Sequence, residues 1–203
     1  LFRSWIGKRG NQVVIVGSNG RGAAYGLLEL SRMSGVSVWK WWGDIVPERR
    51  QHLEIDENLD KIEVPSVEYR GINIDDTQWS SGPWARNYLK EQLSDGLLGP
   101  AYYHKLFELM LRLKANTISA GWEKKASVFL DVKGNREVAD SFSMIVATPD
   151  HDGAVTLHEH KKPVDIKILY ADDGYGYMLA RSNDDVKQAS HGAALYHLSY
   201  EGQ

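Results

Sequence analysis

Two apolar runs that each stop at a pair of aspartates constrain this chain most: Gly71-Ile72-Asn73-Ile74-Asp75-Asp76 and Ile168-Leu169-Tyr170-Ala171-Asp172-Asp173. Each has the length of one strand and then enters a turn-rich stretch. Parallel sheets and barrels gather their chemistry where strands end, because the following loops converge there. Two carboxylate pairs delivered to such a rim can supply the acid and the base of glycoside hydrolysis. The plainer reading of one such pair is a helix cap or a turn.

The spacing of the remaining elements predicts an α/β fold. Gln12–Val16 is short, β-branched and followed by glycines, which predicts a buried strand. A loop over 17–22, a helix over Ala23–Ser34 with Gly35 just past its end, and an aromatic strand over Val36–Trp42 follow. The glycines of the loop are spaced G-x-x-G-x-G and no Walker lysine follows, so a structural turn is expected there rather than a phosphate cradle. Pro47–Glu63 is charged and weakly patterned, and Val64-Pro65-Ser66 marks a domain boundary. Beyond it come a strand over Val67–Asp75 and a long loop over Trp79–Gly99. A helix over Ala101–Lys114 follows, with Leu106, Met110 and Leu113 on one face. Strands at Asn116–Ala120, Met144–Ala147 and Ile166–Tyr170 complete four. Helices are expected at Asn135–Phe142, with Asn135 as cap, and at Ser182–Ala189. Strands alternating with helices at these intervals predict βαβ units and a parallel sheet. The expected division is residues 1–64 as a small α/β domain and 65–203 as a larger one.

Composition narrows the function classes. The 203 residues carry a net charge of −3 with scattered Lys and Arg, which argues against nucleic acid. No apolar run nears the ~20 residues of a membrane span. There are no cysteines, hence no disulfide frame or thiolate chemistry. Seven Trp and ten Tyr suit either sugar stacking or cores. His151, His158 and His160 with Asp152 and Glu159 have a partial metal-ligand pattern, but a solvated loop is the expected state, with no metal and no cofactor. The N-terminal Leu1-Phe2-Arg3-Ser4-Trp5 is neither signal peptide nor tag, and the chain is expected to begin inside a folded region.

Several strings resemble glycoside hydrolase family 115, the xylan α-1,2-glucuronidases. Tyr69-Arg70-Gly71-Ile72, Asp75-Asp76, Trp79 and Gly82-Pro83-Trp84-Ala85 are similar to the opening of that family's catalytic barrel. Leu106-Phe107-Glu108-Leu109, Leu111–Ile118, Asn135–Asp140, Asp172-Asp173-Gly174-Tyr175-Gly176-Tyr177 and Tyr196-His197-Leu198-Ser199-Tyr200 continue the likeness. Val14–Ser18, Arg21-Gly22, Glu29-Leu30-Ser31 and Trp41-Trp42 resemble the small α/β domain that precedes it. The resemblance implies a small N-terminal α/β domain followed by a (β/α)8-type barrel. That barrel is expected to be incomplete, since a full one takes about 250 residues. A partial or internally shortened chain is expected, with the break between Asp150 and Lys161. The family's Ser-His-Cys-Glu-Pro string has no match in Pro149-Asp150-His151-Asp152-Gly153.

The implied activity is inverting removal of α-1,2-linked (4-O-methyl)glucuronic acid from xylan or glucuronoxylo-oligosaccharides. Asp76, Asp172 and Asp173 are the catalytic candidates. Trp79, Asp152, Tyr196, His197 and Tyr200 are the substrate-binding ones. The alternatives are a non-catalytic remnant that binds acidic sugars and a related hexuronidase or hexosaminidase. A secreted or periplasmic location and a possible homodimer complete the expectations.

Overall fold

The computed structural model describes residues 2–74, 81–91, 98–120, 129, 132–149, 166–171 and 193–196; for 147–149, 166–171 and 193–196 only the backbone is described. The fold is mixed α/β and divides into two compact units, Leu1–Arg70 with Lys105–Asn116, and Gly71–His104 with Thr117–Gln203.

The first unit holds a three-stranded antiparallel sheet of order β2-β1-β3. Its strands are β1 (Ser4–Arg9), β2 (Gln12–Gly17) and β3 (Asp60–Glu63). β1 and β2 form a hairpin in which Arg9 faces Gln12 across Gly10-Asn11. The Gln12–Val16 run is therefore an antiparallel edge strand and not a buried one, and Val16 is 53% exposed. β3 arises within the stretch that looked unpatterned, because three of its four residues are charged and only their exposure alternates.

Helix α1 (Gly20–Met33) starts inside the expected loop. The Asn19 side chain accepts from the Gly22 N–H at 2.8 Å, which satisfies one of the helix's orphan donors and lets it begin three residues early. It ends in a Schellman motif: Val36 N–H donates to Ser31 O and Gly35 N–H to Arg32 O, with Gly35 at φ +89°. Residues 37–43 form tight turns, with Lys40 N–H donating to Ser37 O and Gly43 N–H to Trp39 O. The expected Val36–Trp42 strand is not there: local turn hydrogen bonds replaced a ladder that had no partner strand.

Two further helices in the chain end the same way without glycine. Lys114 (φ +61°) follows helix α3 (Pro100–Arg112), with Ala115 N–H donating to Met110 O. Ser143 (φ +52°) follows helix α4 (Asn135–Ser141), with Met144 N–H donating to Ala139 O. Each left-handed L-residue costs roughly 1 kcal/mol.

Polar contacts tie the first unit together. Glu29 on α1 is 2% exposed and accepts from Arg32, Lys61 and Lys114. Lys61 and Lys114 also pair with Glu63. The buried Tyr25 donates its hydroxyl proton to Ala115 O at 2.7 Å. Arg70 and Asn116 exchange backbone and amide bonds: Asn116 N–H donates to Arg70 O, and Arg70 N–H to Asn116 Oδ1, each at 2.8 Å.

The second unit holds a parallel sheet of order β4-β5-β6-β7-β8, and this bears out the parallel reading. The strands are β4 (Gly71–Ile74), β5 (Thr117–Ala120), β6 (Ile145–Pro149), β7 (Ile166–Ala171) and β8 (Ala193–Tyr196). Four strands were expected and five are present among the described residues. β8 is only four residues long and sits next to a histidine-glycine pair, too short for a periodicity to show. Gly71 is needed at the start of β4, since a Cβ there would lie 1.9 Å from the Thr117 carbonyl oxygen. Ile118 and Val146 are fully buried. The stretch expected as a long loop contains a helical turn, α2 (Ser81–Trp84), continued by a π turn over Ala85–Leu89. The expected helix at Ser182–Ala189 and the expected break at Asp150–Lys161 lie outside the described residues.

Candidate functional site

The parallel sheet aligns the carboxyl ends of its strands on one edge. A single level runs through Asn73, Ser119, Ala147 and Lys167, which pair across four neighbouring strands. Past that level β4 continues for Ile74 only and β5 for Ala120 only. β6 continues for Thr148 and Pro149, and β7 for Ile168 to Ala171. In sequence, Asp75-Asp76 follow β4, Asp150-His151-Asp152 follow β6, Asp172-Asp173 follow β7 and His197 follows β8. Ala171 and Tyr196, the last residues of β7 and β8, face each other.

Of the candidate residues, only Tyr196 falls within the described residues, as the last residue of β8, and there the backbone alone is described. Asp76, Trp79, Asp152, Asp172, Asp173, His197 and Tyr200 lie outside them, as do His151, His158 and His160. What is described is the frame that leads to these positions.

That frame is built from polar and aromatic residues on the segments that follow β4 and β5. Helix α3 begins with Gly99 and Pro100, which offer no capping side chain. Glu91 takes over: its carboxylate accepts from the N–H groups of Gly99 (3.2 Å), Ala101 (2.7 Å) and Tyr102 (3.3 Å). An ionised carboxylate there also complements the positive end of the helix. Tyr102 donates from its hydroxyl to Ser81 Oγ at 2.8 Å, which fixes the start of α2. Trp84 stacks on Tyr88 and meets Tyr102 edge-on, and Tyr103 meets Phe129 edge-on at 4.6 Å between centroids.

Asn135 locks the two segments to each other. The sequence made it a helix cap, but Gly134 (φ +97°) holds the N-cap position with no side-chain bond, and Asn135 is the fully buried first residue of α4. Its Nδ2 donates to Leu98 O (3.0 Å) and Phe129 O (3.1 Å). Both acceptors are backbone carbonyls of connecting segments, where a buried polar group calls for a hydrogen bond. Sequence reasoning missed this role, and that of Glu91, because neither has a local spacing signature.

The perturbed carboxylates among the described residues are structural. Hydrogen bonds from Arg32, then from Lys61 and Lys114, hold Glu29 well below the usual carboxylate range against the opposing effect of burial. Burial pushes Glu63 up, but Lys114 and Lys61 more than offset it. Glu108 is likewise raised by burial and lowered further by Arg112 and by the Trp41 indole N–H. Acids held ionised in this way are unsuited to donate a proton at neutral pH.

Residues 63–161 match the model of Glycosyl hydrolase family 115, so the likeness drawn from the residues is borne out. No curated protein matches the sequence. Among solved structures, one described as "a novel family GH115 4-O-Methyl-alpha-glucuronidase" with "specificity for decorated arabinogalactans" is similar in fold. It has a TM-score of 0.69 and 23% identity, and the match covers 99% of this chain and 40% of that one. This chain therefore spans 40% of the length of that relative.

Proposed function

We propose that this chain, with its family 115 match over residues 63–161, is the α/β and partial-barrel portion of an inverting α-glucuronidase. The observation that carries the reading is the placement of Asp75-Asp76 and Asp172-Asp173 directly after the carboxyl ends of two parallel strands of one sheet.

Asp76 and one of Asp172 or Asp173 are the acid and base. In an inverting reaction the protonated carboxyl gives its proton to the glycosidic oxygen as that bond to the anomeric carbon breaks. The ionised carboxylate takes a proton from the water that attacks the opposite face, and the sugar acid leaves as its β anomer. The two carboxyls then stand roughly 6.5–9.5 Å apart. β4 and β7 are separated by two strands, so about 14 Å lies between them on a flat sheet with ~4.8 Å spacing. Barrel curvature and inward-reaching side chains must close that gap. Trp79, Asp152, Tyr196, His197 and Tyr200 bind substrate in this reading; the sugar carboxylate calls for histidine and tyrosine donors. The chemistry is proton transfer alone and uses no cofactor.

The polymer is xylan bearing α-1,2-linked 4-O-methylglucuronic acid, and such a polymer places the enzyme outside the cytoplasm. No helix among the described residues is long and apolar enough to cross a membrane. The similar structure's reported preference makes a decorated arabinogalactan the second substrate to try. The test is proton NMR of the protein with each polysaccharide. Release of glucuronic acid as the β anomer before mutarotation is expected. The α anomer first would show retention, and no release from either polymer would favour a non-catalytic binding fragment.

A further inference from the structure

The segment between β4 and α3 carries an exposed aromatic ring to which the catalytic reading gives no part. Tyr88, in the π turn over Ala85–Leu89, is 56% exposed. Trp84 lies four residues before it, so the two side chains share one face of the turn. Their rings stack at 5.0 Å between centroids with 19° between planes. One face of the Tyr88 ring is thereby covered, and its exposed area belongs to the other face and the rim.

The ring is braced from beneath. Trp84 meets Tyr102 edge-on at 6.0 Å, and the Tyr102 hydroxyl donates to Ser81 Oγ at 2.8 Å. Tyr102 and Ala85 are each 1% exposed, so the support is anchored in the packed interior. The backbone beside Tyr88 is strained. Lys90 N–H donates to Ala85 O, which closes the π turn, and Lys90 itself is left-handed at φ +59°. A residue with a side chain adopts that conformation at a cost, and such outliers, like π turns, gather at functional sites. Surface exposure alone does not call for this support. A ligand with a flat apolar face gains from it, because a ring already fixed loses little freedom on binding.

The place of the turn points to the ligand. It lies in the connection that leaves the carboxyl end of β4, the connection that in sequence also contains Asp75-Asp76. Such βα connections gather at the end of a parallel sheet where substrates bind. The negative face of an uncharged ring favours the C–H face of a neutral pyranose over a carboxylate. We propose that Tyr88 is a stacking platform for the main chain of the polysaccharide, a ribbon of β-1,4-linked xylose whose equatorial hydroxyls leave C–H groups on both faces of each sugar. The choice of xylose rests on the proposed function; the stacking role rests on the ring and its supports. Tyr88 holds the polymer in this reading and takes no part in proton transfer.

Calorimetric titration of the full chain with xylohexaose and with β-1,3-linked galactohexaose tests this, with hydrolysis of glucuronoxylan measured separately on the same preparations. Saturable xylohexaose binding is expected, with galactohexaose clearly weaker. Tyr88→Ala should weaken xylohexaose binding about fivefold or more, whereas Tyr88→Phe, which keeps the ring, should stay within about twofold of the wild type. Trp39→Ala, which removes a 48% exposed ring of the first unit, should leave binding unchanged. In hydrolysis, Tyr88→Ala should raise KM and leave kcat as it is, since the stacking contact is equal in the ground and transition states. No saturable xylohexaose binding by the wild type, equal binding of galactohexaose, unchanged affinity in a folded Tyr88→Ala variant, or a loss in Tyr88→Phe as large as in Tyr88→Ala would each overturn the proposal. Tyr88-dependent binding without hydrolysis would leave the platform standing while sinking the catalytic reading, and hydrolysis without xylohexaose binding would do the reverse.

Discussion

β2 and β6 look alike as sequence and behave differently as structure. Gln12-Val13-Val14-Ile15-Val16-Gly17 and Ile145-Val146-Ala147-Thr148-Pro149 are both short β-branched runs. The first is an antiparallel edge with Val16 half exposed; the second is central in a parallel sheet with Val146 fully buried. The difference lies in what flanks them. A Gly10-Asn11 turn joins β2 back to β1, whereas helix α4 leads into β6 and supplies a crossover that only a parallel pair requires. An apolar run alone states that a strand exists, and the connection states which kind.

The same contrast runs through the two units. The first is organised around ion pairs that converge on Glu29 from α1, β3 and the end of α3. The second depends on strand–helix alternation and on one buried amide. The sharpest way to break this comparison is to remove each unit's polar centre.

Glu29→Gln should cost about 3–5 kcal/mol, because Lys61 and Lys114 lose a buried partner. Chemical denaturation at pH 7 measures it. Glu29 is depressed in the folded state, so its stabilisation is full above the unfolded carboxylate value near 4.3 and fades as pH falls below it. The gap between wild type and variant should therefore narrow between pH 4.3 and lower pH. A gap that stayed constant would mean that charge is not what Glu29 contributes.

Asn135→Leu should cost about 2–3 kcal/mol, since the Leu98 and Phe129 carbonyls each lose a buried hydrogen bond. Hydrogen exchange should report faster opening of Leu98–Tyr103 and 132–141 with little change around Glu29. Equal loosening of both regions would show that the two units do not respond separately.

The smallest effects concern the two helix ends. Ser143→Gly should stabilise by about 0.5–1 kcal/mol by relieving a left-handed conformation. Lys114→Gly relieves the same strain but removes the cation that bonds Glu29 and Glu63, and should destabilise. Thermal melts of the two variants should shift in opposite directions. A shift in the same direction would mean that the Lys114 ion pairs are worth less than its strain.

How much was legible follows from the same physics. The α3 helix and the β4, β5 and β6 strands were readable because their apolar periodicity is long or their spacing regular. β1, β3 and β8 were not, because their sequences show no pattern that a loop could not also show. Asn135 was visible as a residue but not as a buried bridge, since its partners Leu98 and Phe129 are 37 and 6 residues away. The β4 and β7 strands that precede the acid pairs were legible as apolar runs. Their places in the sheet were not, because no single run states the strand order.

The central claim is that the acids following β4 and β7 carry out the chemistry. The direct measurement is the rate of glucuronic acid release by Asp76→Asn, Asp172→Asn and Asp173→Asn, with circular dichroism confirming a native fold in each. The account predicts a loss of at least about 1,000-fold for Asp76→Asn and for one of the other two, equivalent to roughly 4 kcal/mol of transition-state stabilisation each. Near-normal release by all three would contradict it.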